Sequence, residues 1–229
     1  MRVLALETST EYCSVALWQD GDVVSRCELV GQKHSELLMP MLDGLLKEAG
    51  FRLQDVDGIA FGMGPGSFTG VRIACGVTQG LALGANLPVI GVCTLEALAE
   101  ASAHDRVIAV LDARMSELYH AAYERQGDDW IAVSEPRLCK PECAPAVTGD
   151  GWFIAGSGLA AHSAALQARY AGHLRGEDGA AVPQAAAIAA LGARRFARGD
   201  SVDAAQALPL YLRDKVALKT HEREAARKS

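Results

Sequence analysis

No stretch of the 229-residue sequence approaches the roughly 18 unbroken apolar residues that a membrane helix needs. The start, "MRVLALETS", meets Glu7 too early for the apolar region of a secretory leader, so a cytoplasmic protein is expected. The six cysteines (Cys13, Cys27, Cys75, Cys93, Cys139, Cys143) show no C-x-x-C spacing. That excludes the usual zinc and disulfide grammars and leaves the pair in "CKPEC" as free thiols. Basic charge is also scarce. A formal net charge of −6 argues against independent tight nucleic-acid binding, which requires a cationic surface.

Catalytic signatures are equally sparse. No two histidines lie three or four apart, which removes the helical metal pair, and there is no G-x-S-x-G nucleophile turn. The most distinctive stretch, "AFGMGPGSFTGVRIACG" from Ala60 to Gly76, has the look of a phosphate loop feeding a helix N-terminus. It fits neither common template. A P-loop needs a lysine, and none lies between Lys47 and Lys140. The dinucleotide fingerprint needs its third glycine one place earlier than Gly70 and an acid after the helix, where the chain reads Gly84-Ala85-Asn86.

What is present is a repeat. "VLALETSTEYCSVALWQDGDVVSRCEL" reads as strand, acid (Glu7), polar turn, strand, and a hairpin at Asp20-Gly21. "VIAVLDARMSELYHAAYERQGDDWIAV" repeats the order about a hundred residues later, with Asp112 as the acid and Gly127 at the hairpin. Half of the residues are hydrophobic, enough for a sizeable core, and strands alternate with helices, which defines an α/β class with a parallel component. "HSELLMPMLDGLLKEAG" spaces Leu38, Met41, Leu42, Leu45, Leu46 and Ala49 as one helical face, with Ser35 as its N-cap and Gly50 as its stop. Pro40 is tolerable there near the first turn. Further helices are expected at Thr69–Ala85, around "TLEALAEAS", near Leu159–Tyr170 and from Pro183 to Arg198.

The helix after the glycine loop carries Gly76, Gly80 and Gly84 on one face. Each costs about 1 kcal/mol relative to alanine, so a neighbouring backbone must compensate. That neighbour is either inside the same domain or in another subunit. Arg72, in the first turn, opposes the helix dipole. It either extends into solvent or meets a carboxylate or phosphate. Glu7 and Asp112 end strands at loops, where acids serve as turn caps or hold metal or water. The segment from Arg213 to Lys228 holds Lys215, Lys219, Arg223, Arg227 and Lys228 among three acids; it reads as a solvated tail or an RNA contact.

Together, "MRVLALETSTEYCSVAL", "KHSELLMPML", "GMGPGSFTGVRIACGVTQGLALGANLPVIGVCTLEALA", "VLDARMSELYHAAY" and "PLYLRDKVAL" resemble the TsaB (YeaZ) family over nearly the whole chain. "GPGSFTGVRI" is the most specific element; residues 142–200 match loosely. The resemblance implies the duplicated α/β fold of actin, Hsp70 and sugar kinases (ASKHA). It implies an N-terminal lobe of residues 1–103, a C-terminal lobe of 104–205, and a segment from about 206 to 229 returning to the first lobe.

It further implies a non-catalytic partner of TsaD in making tRNA threonylcarbamoyladenosine, the modified adenosine beside the anticodon, with a TsaE-type ATPase as third component and tRNA bound only through the complex. The metal histidines of TsaD fall on Thr94 and Leu98, leaving Glu96 between them, so neither a metal nor a catalytic residue is expected. The same mismatch counts against a metallopeptidase. The implied interface, with TsaD or with a second copy of this chain, uses Leu38, Leu42 and Leu45 on the first helix and Val71, Arg72, Cys75, Gly76, Gly80 and Gly84 on the second. No tightly bound cofactor is expected; ATP or ADP at that interface, near Gly66 and Arg72, is the secondary expectation. The competing class is an independent ATPase or small-molecule kinase using Glu7 and Asp112.

Overall fold

The computed structural model describes residues 1–213; the expectations for Lys215 to Lys228 lie outside them. The first half runs β1 (Arg2–Glu7), β2 (Tyr12–Gln19), β3 (Asp22–Leu29), α1 (His34–Ala49), β4 (Gly58–Gly64), α2 (Phe68–Ala85), β5 (Val89–Cys93) and α3 (Thr94–Ala101). The second runs β6 (Arg106–Asp112), β7 (Leu118–Gln126), β8 (Asp129–Cys139), β9 (Trp152–Ala155), α4 (Ser157–Arg169), β10 (Leu174–Asp178) and α5 (Ala185–Arg198).

The two sheets have one topology. The first orders its strands β3-β2-β1-β4-β5 and the second, read from the other end, β8-β7-β6-β9-β10. In each, two antiparallel hairpin pairs are followed by two parallel ones. The β2–β3 turn is made by Asp20 and Gly21, both at positive φ (50° and 107°), the twist a two-residue hairpin requires. The second half departs from the first between β8 and β9, where a three-residue helical turn, Pro141–Cys143, stands in place of an α1.

Three apolar layers follow from strand alternation. Leu4, Leu6, Val15, Leu17, Ile59 and Phe61 face α1 and α2 on the outer side of the first sheet. Ile108, Val110, Ala122 and Ile154 face outward from the second, with α4 on that side. Between the sheets lie α3 and α5, packed on each other, with Val3, Ala5, Ala60, Val107, Ala109 and Leu111 converging on them. Ion pairs reinforce this middle layer: Arg195 Nη2 lies 2.5 Å from Glu96 Oε2, and Arg194 Nη2 2.9 Å from Glu100 Oε1.

Three expectations need correction. The second lobe does not extend to residue 205, because α5 packs on β1, β2 and β4 of the first sheet; the second sheet's own strands and outer helix end at Asp178. Helix periodicity identifies an apolar face, not the sheet that covers it. Ser35 is not the N-cap of α1; that position is Lys33, without a side-chain bond. Pro40 lies in the second turn rather than the first, on an exposed face of a helix that runs on to a left-handed Gly50.

Candidate partner interface

The glycine loop ahead of α2 is packed against its own chain. The turn after β1 lies on it so closely that the Ser67 N–H donates to Ser9 O at 2.7 Å and the Thr8 hydroxyl donates to Gly70 O at 2.7 Å. A Cβ on Gly70 would overlap the Thr8 carbonyl oxygen, and one on Gly66 would lie 2.6 Å from the Ser9 carbonyl oxygen. The phosphate-loop appearance therefore has a packing origin: the glycines let two backbones meet. Ser67 caps α2, its hydroxyl accepting the Gly70 N–H at 3.4 Å.

Beyond this loop α2 has two contrasting faces. Its inner face is filled: Val71 and Cys75 are buried against β4, and Ala207 O accepts bonds from Cys75 Sγ at 3.1 Å and Gln79 Nε2 at 2.9 Å. On the outer face, Gly76, Gly80 and Gly84 are exposed and, among the described residues, a Cβ at any of them would meet nothing within 4 Å. Leu83 beside them is 79% exposed. Among the described residues, then, the glycine stripe does not pack inside its own domain.

The apolar residues expected at an interface are not on this surface. Leu38, Leu42 and Leu45 of α1, and Val71 and Cys75 of α2, are all at most 5% exposed and belong to the core outside the first sheet. Periodicity made these positions one face, and the sheet claimed it. The α1 surface carries instead Met39, Asp43 and Lys47.

Arg72 is exposed at the N-terminal end of the glycine face. Its guanidinium carbon lies 3.5 Å from the Phe68 ring centroid, and its Nε donates to Tyr211 Oη at 2.7 Å. Stacking fixes the guanidinium at little entropic cost and leaves its terminal nitrogens for an outside acceptor. Phe68 and Tyr211 have no local sequence signal for this role: Tyr211 reaches Arg72 from 139 positions away.

A cavity of about 1070 Å³ separates the lobes, lined by Ser9, Thr10, Gly66, Asp112, Ser157 and Arg213 among others. Asp112 faces it, held by the Arg114 N–H at 2.9 Å and within 3.9 Å of His162 Nε2. Glu7 is not among its lining residues. The Glu7 carboxylate is enclosed by Gly62 and Ile188; one oxygen accepts the Ser9 N–H and the other has no partner. The two acids therefore do not share a site. Gly66 lines the cleft while Arg72 does not, so the two residues expected near a nucleotide open onto different surroundings. Thr94 donates to Pro65 O at 2.5 Å, Leu98 is buried between the lobes, and Glu96 is committed to Arg195.

Burial pushes the Glu7 carboxyl up from 4.5 to about 7, the Ser9 hydrogen bonds only partly offsetting it. Between those values the folded chain holds a proton that the unfolded chain releases, so this group's contribution to stability falls as pH rises through that window. Glu7→Gln removes the titration. The stability of the variant relative to the parent is expected to rise by about 2.5 kcal/mol between pH 5 and pH 8. Urea unfolding of both proteins at the two pH values measures it; equal pH slopes would show that Glu7 titrates normally.

Two lobes whose sheets share one topology, with a helix pair between them and a cleft at their junction, define a duplicated α/β protein of the ASKHA type. Residues 26–220 match the family model described as TsaD, tRNA N6-adenosine threonylcarbamoyltransferase. The chain belongs to the TsaB (YeaZ) branch of that family. It is 39% identical to the tRNA threonylcarbamoyladenosine biosynthesis protein TsaB of Escherichia coli, covering 96% of this chain and 97% of that protein. It is 38% identical to TsaB of Haemophilus influenzae, covering 96% of each. Among solved structures, YeaZ from Pseudomonas aeruginosa superposes with a TM-score of 0.83 at 41% identity, over 92% of this chain and 99% of that one. No helix among the described residues is long and apolar enough to cross a membrane.

Proposed function

We propose that this chain is a non-catalytic partner subunit in tRNA threonylcarbamoyladenosine biosynthesis. It docks a TsaD-type paralogue on the outer face of α2, a TsaE-type ATPase joins them, and tRNA is held only by the assembly. The observation that carries the reading is the stripe of Gly76, Gly80 and Gly84, exposed with none of the described residues packed on it. Three interior glycines cost the helix roughly 3 kcal/mol that the free chain does not recover. Close approach of a partner backbone offsets that cost. Arg72, stacked on Phe68 at the end of the stripe, is the group to meet a partner carboxylate or the phosphate of an ATP or ADP held at the interface. The competing reading, an ATPase or small-molecule kinase built on Glu7 and Asp112, is weakened by the enclosure of Glu7 away from the cleft.

Size-exclusion chromatography with light scattering tests the proposal, on the chain alone and mixed with a TsaD-type protein. The expected result is a species containing one copy of each. A chain that stays unassociated, or remains paired with itself, when the partner, a TsaE-type protein and ATP are all present would overturn it.

A further inference from the structure

Residues Leu210 to Arg213 line the interlobe cleft and are bonded to both lobes. On the first lobe, the Leu210 N–H donates to Met63 O at 2.7 Å, and Tyr211 accepts from Arg72 while its ring lies 5.9 Å from that of Phe68. On the second lobe, Arg213 Nη2 donates to Ala113 O at 3.0 Å and Nη1 lies 2.8 Å from a Glu117 carboxylate oxygen. The Arg213 and Glu117 side chains are 16% and 28% exposed, so this pair is partly withdrawn from water, where a charge pair is stronger than on an open surface.

The turn that Arg213 grips is strained. Arg114, Met115 and Ser116 are three consecutive non-glycine residues in the left-handed region, at φ 61°, 56° and 58°. Each costs roughly 1–2 kcal/mol relative to a right-handed conformation. The turn closes on itself through the Ala113 N–H to Glu117 O, 3.0 Å, and the Glu117 N–H to Arg114 O, 3.1 Å. Arg213 holds its two ends from outside, taking the Ala113 carbonyl and the Glu117 carboxylate on one guanidinium.

We infer that Leu210–Arg213 is an interlobe latch: Arg213 keeps the Ala113–Glu117 turn in its left-handed form, and Tyr211 makes that hold responsive to docking on α2. The second clause rests on the docking reading above. Arg72 is shared between the outer face of α2 and the Tyr211 hydroxyl. A partner that draws the guanidinium into an ion pair of its own takes it from Tyr211. Only Leu212 separates Tyr211 from Arg213, a span too short to absorb much movement. Loss of the first anchor therefore loosens the second, and the strained turn relaxes.

Hydrogen–deuterium exchange on the full chain tests both clauses. In the free chain, Arg213→Ala and Glu117→Gln are each expected to speed exchange of the Ala113–Glu117 segment by about tenfold, with the β6 amides unchanged. Exchange at the parental rate in both variants would overturn the latch, independently of anything α2 binds. In the second arm, adding the TsaD-type partner is expected to speed exchange of the same segment. Tyr211→Phe, which keeps the ring and removes the hydroxyl acceptor, is expected to abolish that response while the complex still forms. A complex with unaltered exchange at the turn would overturn the coupling and leave docking intact. Absence of any complex would overturn docking, and with it the coupling, leaving the free-chain arm to decide the latch alone.

Discussion

Gly80→Arg is expected to weaken capture of a TsaD-type partner by at least about a hundredfold, some 3 kcal/mol, while leaving the free chain folded. The two halves of that expectation have separate causes. No described residue lies within 4 Å of the position a Cβ would take, so the free chain accommodates a larger side chain there. The helix itself gains, since replacing an interior glycine at a compatible backbone position removes unfolded-state freedom. The partner meets the opposite situation: a long charged side chain fills the space through which two backbones must approach, and its desolvation adds to the clash. Binding titration by calorimetry, with thermal unfolding of the variant alone, separates the two effects. Unchanged affinity would place the interface elsewhere on the chain, and a collapsed melting temperature would contradict the open surface.

Gly70→Ala, on the same helix, is expected to destabilise the free chain by about 3 kcal/mol or more, whereas Gly76→Ala stabilises it by up to about 1 kcal/mol. The two positions are six residues apart and opposite in surroundings. The methyl at Gly70 would enter the Thr8 carbonyl oxygen, which is backbone and cannot turn aside. Relief requires the β1–β2 turn to lift from the loop, at the expense of the Thr8 hydroxyl bond to Gly70 O and the Ser67 N–H bond to Ser9 O. The methyl at Gly76 enters open space. Urea midpoints for the two variants decide the matter, and a Gly70→Ala chain as stable as its parent would mean that the contact yields more easily than its backbone nature implies.

Much of this architecture is legible in the order of the residues. The repeated order of strand, acid, turn, strand and hairpin named both sheets, because alternation of apolar residues and a two-residue Asp-Gly turn are local properties of the chain. Helical spacing places α1 and α2, and the expected stop at Gly50 is left-handed, whereas the N-cap of α1 falls at Lys33 and not at Ser35. The glycine stripe was visible as spacing alone. Its surroundings were not: spacing is the same whether a helix face meets its own domain or open solvent. For the same reason the spacing of Leu38, Leu42 and Leu45 defines one face without showing that the first sheet covers it, since local periodicity carries no information about what lies opposite.

Local pattern alone identifies the repeated hairpin strands, the five main helices, a chain built twice on one plan, and a glycine loop that fits no common phosphate template; it does not identify β9 or β10. It takes the packed fold to show that Thr8 and Ser9 fill that loop, that α5 belongs to the first sheet, that Glu7 is sealed from the cleft, and that Tyr211 and Arg213 tie the lobes together. The division has a physical reason. Backbone propensity and hydrophobic period act over a few residues and are written in order along the chain. Contacts between residues 72 and 211, or 117 and 213, depend on the path the intervening chain takes through space, and that path is fixed only when all three layers pack together.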